Sequence, residues 1–185
     1  MSSRRTFLAA PLLALAGCGF QPVYGPGGER NPTAAGLGSQ EPRLRDELAA
    51  VRVGPMYERN GQLMRRALQR GFEGSQPGLQ GRYELDVSLG YSTEVLGFRN
   101  DGLATRVRII ATASWVLSTL SVPREVVDRG SARTVDAYNL PDLQFFAADA
   151  SREDTDRRII AELSDRVLLG VAVALRQRVA ATPAA

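Results

Sequence analysis

Strict alternation of apolar and polar residues over two long segments is the feature that most limits what this sequence can fold into. In residues 83–91 every second side chain is apolar, and residues 104–120 follow the same period. A period of two predicts strands with one buried face. The inward positions are Tyr83, Leu85, Val87, Leu89 and Tyr91 in the first segment, and Val107, Ile109, Ala111, Ala113, Trp115 and Leu117 in the second.

Two further segments are predicted as strands. Residues 125–139 form a third long strand-like stretch, less regular and interrupted by Gly130, and Pro123 marks the turn before it. Residues 48–56 indicate a short strand. The three long strands follow one another directly, so they predict an antiparallel meander.

Two amphipathic helices accompany these strands. The first is predicted over residues 61–70, with Asn60 as its cap and Gly71 as its end. The second follows a Ser-x-x-Asp capping box formed by Ser151 and Asp154. Its apolar stripe comprises Ile160, Leu163, Val167, Val171, Ala174 and Leu175.

This order predicts an α+β fold, a two-layer sandwich in which two helices pack on one face of an antiparallel or mixed four-stranded sheet. The other sheet face is left open to water or a partner. Tyr83, Tyr91 and Trp115 lie on the apolar side and are expected in the core.

The amino-terminal segment has the pattern of an export signal. Arg4 and Arg5 precede an apolar run that is too short to span a bilayer, and Leu15-Ala16-Gly17-Cys18 follows. This motif resembles the lipobox of bacterial lipoproteins, which implies cleavage after Gly17 and acylation of Cys18 (residues 1–17 being the signal peptide). "SRRTFL" also resembles a twin-arginine export signal. The alternative is an ordinary secretory signal with an incidental cysteine.

The remaining chain divides by composition. Residues 18–42 are expected to form the lipidated terminus and a flexible Gly- and Pro-rich tether. Residues 43–180 form the folded α/β domain, and residues 181–185 a disordered tail.

Composition excludes several kinds of chemistry. The chain has no histidine and one cysteine, so neither a Ser-His-Asp triad nor a Cys/His zinc site can be built. Loss of Arg4 and Arg5 with the signal reduces the formal net charge from +3 to +1, which does not indicate nucleic-acid binding. No enzyme activity and no cofactor are expected.

Three short motifs on this layout resemble the LptE family of lipopolysaccharide-assembly lipoproteins, in its alphaproteobacterial form. They are "CGFQPVYG" at the lipidation site, Phe98-Arg99-Asn100 at the turn between the first two meander strands, and "YNLPDLQFFAADASRED" before the last helix. The resemblance implies a lipid-anchored protein at the periplasmic face of the outer membrane. Its partners would be an LptD-like β-barrel, which it plugs and helps to assemble, and lipopolysaccharide. Gly19 after the cysteine, where inner-membrane lipoproteins typically carry Asp, agrees with that destination.

Four arginines are candidate lipopolysaccharide contacts. Arg106 and Arg108 lie on the polar strand face with Arg99 at the adjoining turn, and guanidinium groups bind phosphates well. The resemblance implies this role for Arg99 and, by approximate spacing, for Arg152. The simpler alternative is that these are solvated surface arginines.

Two other functions remain open at this stage. One is an auxiliary lipoprotein of an ABC-type lipid transport system, whose partner would lie in the inner membrane or periplasm. The other is a lipid-anchored enzyme such as a cell-wall hydrolase, which the absence of histidine and of a recognisable nucleophile disfavours.

Overall fold

The structure, a computed structural model, describes residues 40–74, 77–142 and 144–181. The predicted signal peptide, Cys18, the tether up to residue 39 and the last four residues lie outside this part of the chain.

The described residues form one mixed sheet and three helices. Strand order is β1-β2-β3-β4, with β1 parallel to β2 and the other neighbours antiparallel. The predicted α+β arrangement with helices packed on the sheet is confirmed. The elements are α1 (Gln40–Ala49), β1 (Val51–Val53), α2 (Glu58–Glu73), β2 (Tyr83–Phe98), β3 (Ala104–Thr119), β4 (Val126–Asn139) and α3 (Phe145–Ala181).

Cross-strand register assigns each sheet residue to one of two faces. Leu85 pairs with Leu117, and Ala113 pairs with Ala132, so the predicted apolar positions share the inner face. Helices α2 and α3 cover that face, and α1 packs against α3. Burial of this surface supplies the main driving force for folding. The largest fully buried side chains are Met64, Leu68, Leu85, Leu117, Ile159, Leu163, Leu175, Val167, Val171 and Thr155.

Trp115 lies in a close contact between the sheet and helix α3. A β-carbon added at Gly130 of β4 would lie 2.7 Å from Trp115 Cζ2, and one added at Gly170 of α3 would lie 2.9 Å from the same atom. Both glycines therefore leave room for the indole, which is confirmed as a core residue. Gly130 does not break β4, since pairing with β3 continues across it.

Helix α2 is longer than predicted at both ends. Asn60 is not its cap: Tyr57 holds that position without a side-chain hydrogen bond, and the helix begins at Glu58. Gly71 does not end it either, because Gly71 lies where α2 meets α3 and faces the side chain of Leu168. The helix ends at Gly74, whose φ of 45° is easily adopted by glycine.

The capping box predicted at Ser151 and Asp154 is also wrong. Helix α3 begins six residues earlier, at Phe145. The Ser151 carbonyl accepts a hydrogen bond from Thr155 Oγ1 at 2.8 Å, and Asp154 pairs with Arg158 one turn on. Ser151 and Asp154 therefore make contacts within the helix and do not cap its N-terminus. Helix α1 was not predicted, and it begins at Gln40, within the segment interpreted as tether.

The Trp115 contact predicts an unusual effect of Gly170→Ala. In an open helix this change stabilises by up to about 1 kcal/mol. Here the new methyl group would overlap the indole, and we expect a loss of about 1–3 kcal/mol in the free energy of unfolding. Urea denaturation followed by circular dichroism measures it.

Gly90→Ala is the matched control, because the nearest atom to its new β-carbon is 4.0 Å away. Combining Gly170→Ala with Trp115→Phe should recover part of the loss, since the smaller ring frees space. A Gly170→Ala protein as stable as the original would contradict this account.

Candidate functional site

The β2–β3 hairpin is longer than the helices that cover it. On β2 the inner face is buried at Tyr83 and Leu85, half-buried at Val87 and Leu89, and exposed from Tyr91 onward. Tyr91 is 40% exposed, so the expectation that it belongs to the core is wrong. The distal half of the hairpin therefore presents its inner face to solvent.

A cleft of about 700 Å³ lies between this exposed face, the first turn of α2 and the N-terminal third of α3. Its wall on the sheet is mostly apolar, with two tyrosines and three aliphatic side chains. Its wall on the helices is polar and charged. The lining residues are Tyr91, Thr93, Val95, Val107, Ile109 and Tyr138 from the sheet, and Glu58, Arg59, Asn60, Arg152 and Asp156 from the two helices.

Ion pairs join helices α2 and α3 beside the cleft. Glu153 is bonded to Arg59 of α2 and, at 3.0 Å, to Arg157 of α3. The hydrogen bond from Arg59 is the main cause that lowers the pKa of Glu153, so this carboxylate stays ionised at neutral pH. Within the described residues no carboxylate lies within salt-bridge distance of Arg152. Its charge is thus available to a ligand.

The side chain of Tyr91 is partly shielded from water in the cleft. Burial is the main cause that raises its phenol pKa above 10.0, a hydrogen bond with Asn60 lowers it, and the charges of Asp156 and Glu58 raise it. Glu58, at the start of α2, has a φ of 63°, a left-handed conformation that is uncommon for residues other than glycine. The cleft therefore combines an apolar surface with fixed charges.

Arg99 occupies the hairpin tip, where it is clamped by two carboxylates. Its guanidinium contacts Asp101 Oδ2 at 3.0 Å and Asp142 Oδ1 at 2.5 Å. These partners raise the pKa of Arg99, the hydrogen bond to Asp142 being the main cause. A second link, from Leu140 N to the Thr105 carbonyl at 2.8 Å, also joins the hairpin to the segment before α3. The clamp therefore joins the tip to the segment that precedes α3.

Arg106 and Arg108 lie on the outer face of the sheet, as predicted. Arg108 pairs with Glu94 of β2 at 3.2 Å across the strands. For Arg106 no acidic partner occurs in the described ranges. Both point away from the cleft, because residue 107 between them lines it.

The structure thus separates the four predicted arginines. Arg152 lines the cleft, Arg99 lies at the hairpin tip, and Arg106 and Arg108 occupy the opposite face. The sequence pattern did not predict Arg59, Asn60 and Tyr138 as cleft residues, since only the packing of three distant segments assembles them. It also missed the exposed aromatic side chains near the hairpin and α3, of which Phe146 is 92% exposed.

Two kinds of feature are absent from the described residues. These residues contain no cluster of acidic or cysteine side chains arranged to hold a metal ion. No helix among them combines the length and apolarity needed to cross a membrane.

The sequence profile of the lipopolysaccharide-assembly family LptE matches residues 48–169, about two thirds of the chain. The chain belongs to the LptE family. This LptE protein is accordingly a lipopolysaccharide-assembly lipoprotein associated with a membrane, and the family is a non-catalytic one. No curated relative matches the sequence.

Two solved structures resemble this LptE protein. The crystal structure of a protein from Caulobacter crescentus CB15 assigned as a lipoprotein has a TM-score of 0.59 and 25% identity, covering 77% of this chain and 99% of its own. Rare lipoprotein B from Shewanella oneidensis has a TM-score of 0.50 and 12% identity, covering 66% of this chain and 92% of its own. The second likeness concerns the fold alone.

The raised pKa of Tyr91 predicts a specific pH dependence of stability. The neutral phenol is favoured in the folded state, so its contribution is present below pH 10.0 and is lost as pH rises through the folded-state pKa. Tyr91→Phe should therefore lose less unfolding free energy than the original protein between about pH 9.5 and 11. Parallel denaturation curves at these pH values measure the difference. Identical pH profiles would contradict the assignment.

Proposed function

We propose that this protein is an outer-membrane lipoprotein that plugs an LptD-like β-barrel, assists its assembly and contacts lipopolysaccharide, without catalysing a reaction. The match to the LptE profile over residues 48–169 carries the proposal. Acylated Cys18 would hold the domain at the periplasmic face of the membrane, since several acyl chains on one residue anchor far more strongly than one.

The cleft supports the proposal because it places Arg152, which has no acidic partner in the described residues, beside an apolar surface; Glu58 and Asp156 are the acids that also line it. Lipopolysaccharide carries phosphates beside sugars and acyl chains. Arg152 is placed to pair with a phosphate, while Tyr91, Val95 and Val107 offer apolar contact next to it. This arrangement makes Arg152 the arginine best placed for the ligand.

The other three arginines are proposed as contacts of a different kind. Arg106 and Arg108 are on the far side of the sheet, so they would meet another part of lipopolysaccharide or the barrel wall. Arg99 is engaged by Asp101 and Asp142, and a phosphate would have to compete with both carboxylates.

The barrel partnership predicts a stoichiometric complex. Affinity purification of the full-length protein from detergent-solubilised membranes should recover one large β-barrel protein at a ratio near one to one. Recovery of inner-membrane components alone would overturn the proposal and favour the ABC-type alternative. Hydrolysis of peptidoglycan or ester substrates by the purified protein would instead indicate an enzyme.

Arg152→Gln should weaken lipopolysaccharide binding by about ten- to a hundredfold, because one charge-assisted hydrogen bond is worth about 1.5–3 kcal/mol. Titration of the purified protein with lipopolysaccharide measures it. Arg176→Gln, an exposed arginine at the other end of α3, is the matched control and should bind normally. Equal affinity of the two variants would remove Arg152 from the site.

For Arg99, removing a carboxylate that binds it and removing the arginine itself should have opposite effects on lipopolysaccharide affinity. If its guanidinium contacts phosphate, Asp142→Asn should strengthen lipopolysaccharide binding, since one competing carboxylate is gone, whereas Arg99→Gln should weaken it. Both variants are compared in the same titration. Unchanged binding in both would leave Arg99 with a structural role at the hairpin tip.

A further inference from the structure

Strand β2 has a long edge that β1 does not cover. β1 pairs with only three residues, the last pair being Val53 with Leu85. The chain then leaves the sheet at Gly54 and Pro55, whereas β2 continues to Phe98. The position beside the rest of β2 is therefore vacant among the described elements.

Hydrogen bonds at the base of β2 show which backbone groups point to this edge. Leu85 O accepts from Gly54 N at 2.9 Å on the β1 side, and Arg82 O accepts from Leu120 N at 2.8 Å on the β3 side. Because direction alternates along a strand, odd-numbered residues direct their N–H and C=O groups to the open edge. No backbone partner for these groups occurs within the described ranges. They belong to Val87, Leu89, Tyr91, Thr93 and Val95.

Strand β4 forms the opposite edge of the sheet, and helix α3 contacts it. Along β4, Arg166 of α3 donates to the Arg133 carbonyl at 2.6 Å, and Glu162 accepts from Thr134 Oγ1 at 2.5 Å. Arg158 adds an ion pair with Asp136 at 2.9 Å. Helix α3 thus protects β4 from pairing with another strand, which is how natural sheets usually manage an edge. Nothing comparable is seen in the described residues beside the distal part of β2.

We propose that the β2 edge from Val87 to Val95 binds an extended strand of a partner protein by β-augmentation. Unpaired backbone donors and acceptors select a strand, and pockets beside the edge select its side chains. Two such pockets follow the edge: one of about 220 Å³ that includes Met56, Val87 and Leu89, and the cleft described above. Tyr91 lines both. The irregularity between Val95 and Gly97 ends the regular edge.

Charges on the outer side of β2 favour a different protein over a second copy. Asp86 and Glu94 point to that face, two acids eight residues apart, which pair with Arg124 and Arg108 of the same chain at 3.2 Å each. If two β2 edges paired antiparallel with Tyr91 opposite Tyr91, each Glu94 would lie diagonal to the other copy's Asp86. If one strand shifted by one pairing step along the other, each Glu94 would lie directly opposite the other copy's Asp86. Like charges across strands are destabilising, so we infer a partner strand with neutral or basic outward residues and apolar inward ones.

Site-specific photocrosslinking in intact membranes tests the proposal. A benzophenone amino acid replaces Tyr91 in one full-length variant and Val95 in another, and the attachment points are mapped by mass spectrometry. We expect both to attach to one contiguous partner segment, at positions about four residues apart, because paired strands advance in step. Ser114, on the outer face of central strand β3, is the matched control and should not label that segment.

Thr93→Pro supplies an independent measurement, since it removes one edge N–H and leaves the β2–β3 pairing intact. It should abolish the Tyr91 crosslink, whereas Thr93→Val should retain it, and circular dichroism verifies that both fold. Scattered attachment points, no attachment, or a crosslink that survives Thr93→Pro would overturn the proposal. Attachment to β2 of a second copy would overturn the choice of partner. Co-purification of a β-barrel without an edge crosslink would leave the proposed function standing and reject this surface.

Discussion

The close contact of Trp115 with Gly130 and Gly170 sets the spacing between the sheet and α3. The indole fills the gap that two glycines leave on either side of it. Helix α3 can therefore lie directly on β3 and β4, and the apolar stripe from Ile159 to Leu175 is buried along it. Since that stripe forms the helix side of the core beneath the sheet, a methyl group at either glycine would disturb the packing of the whole layer.

The unequal lengths of sheet and helix layer produce the surfaces that can bind. Strands β2 and β3 each contain 16 residues, but the inner face of β2 is buried only as far as Leu85 and half-buried as far as Leu89. The uncovered part of the hairpin forms one wall of the cleft and also carries the open edge. A strand added at that edge would extend the wall of the cleft, so the two proposed surfaces would be neighbours. Strand β4 pairs with β3 along the length of the hairpin, and the clamp of Arg99 by Asp101 and Asp142 adds a contact at the tip.

Some arginines of this lysine-free chain are held in ion pairs that join parts of the fold, and others are available to bind a ligand. Arg59, Arg158 and Arg166 join α3 to α2 or β4, and Arg99 fixes the hairpin tip. Exposed pairs of this kind contribute little stability individually, but they fix geometry where apolar packing is absent. Arg152 and Arg106 have no such partner in the described residues, and they lie on opposite sides of the sheet. A single ligand phosphate cannot therefore bridge them.

The sequence by itself determined the α+β class, the three long strands and the face to which each strand residue points, because a period of two depends only on local backbone geometry. It also supplied the motifs that resemble LptE. Only the tertiary structure decided that Gly71 continues a helix, that Gly130 makes room for an indole, and that Tyr91 lines a cleft. It likewise separated Arg152 from Arg106 and left the β2 edge open. These outcomes depend on where distant segments meet and where helices stop covering the sheet, and no local pattern of residues carries that information.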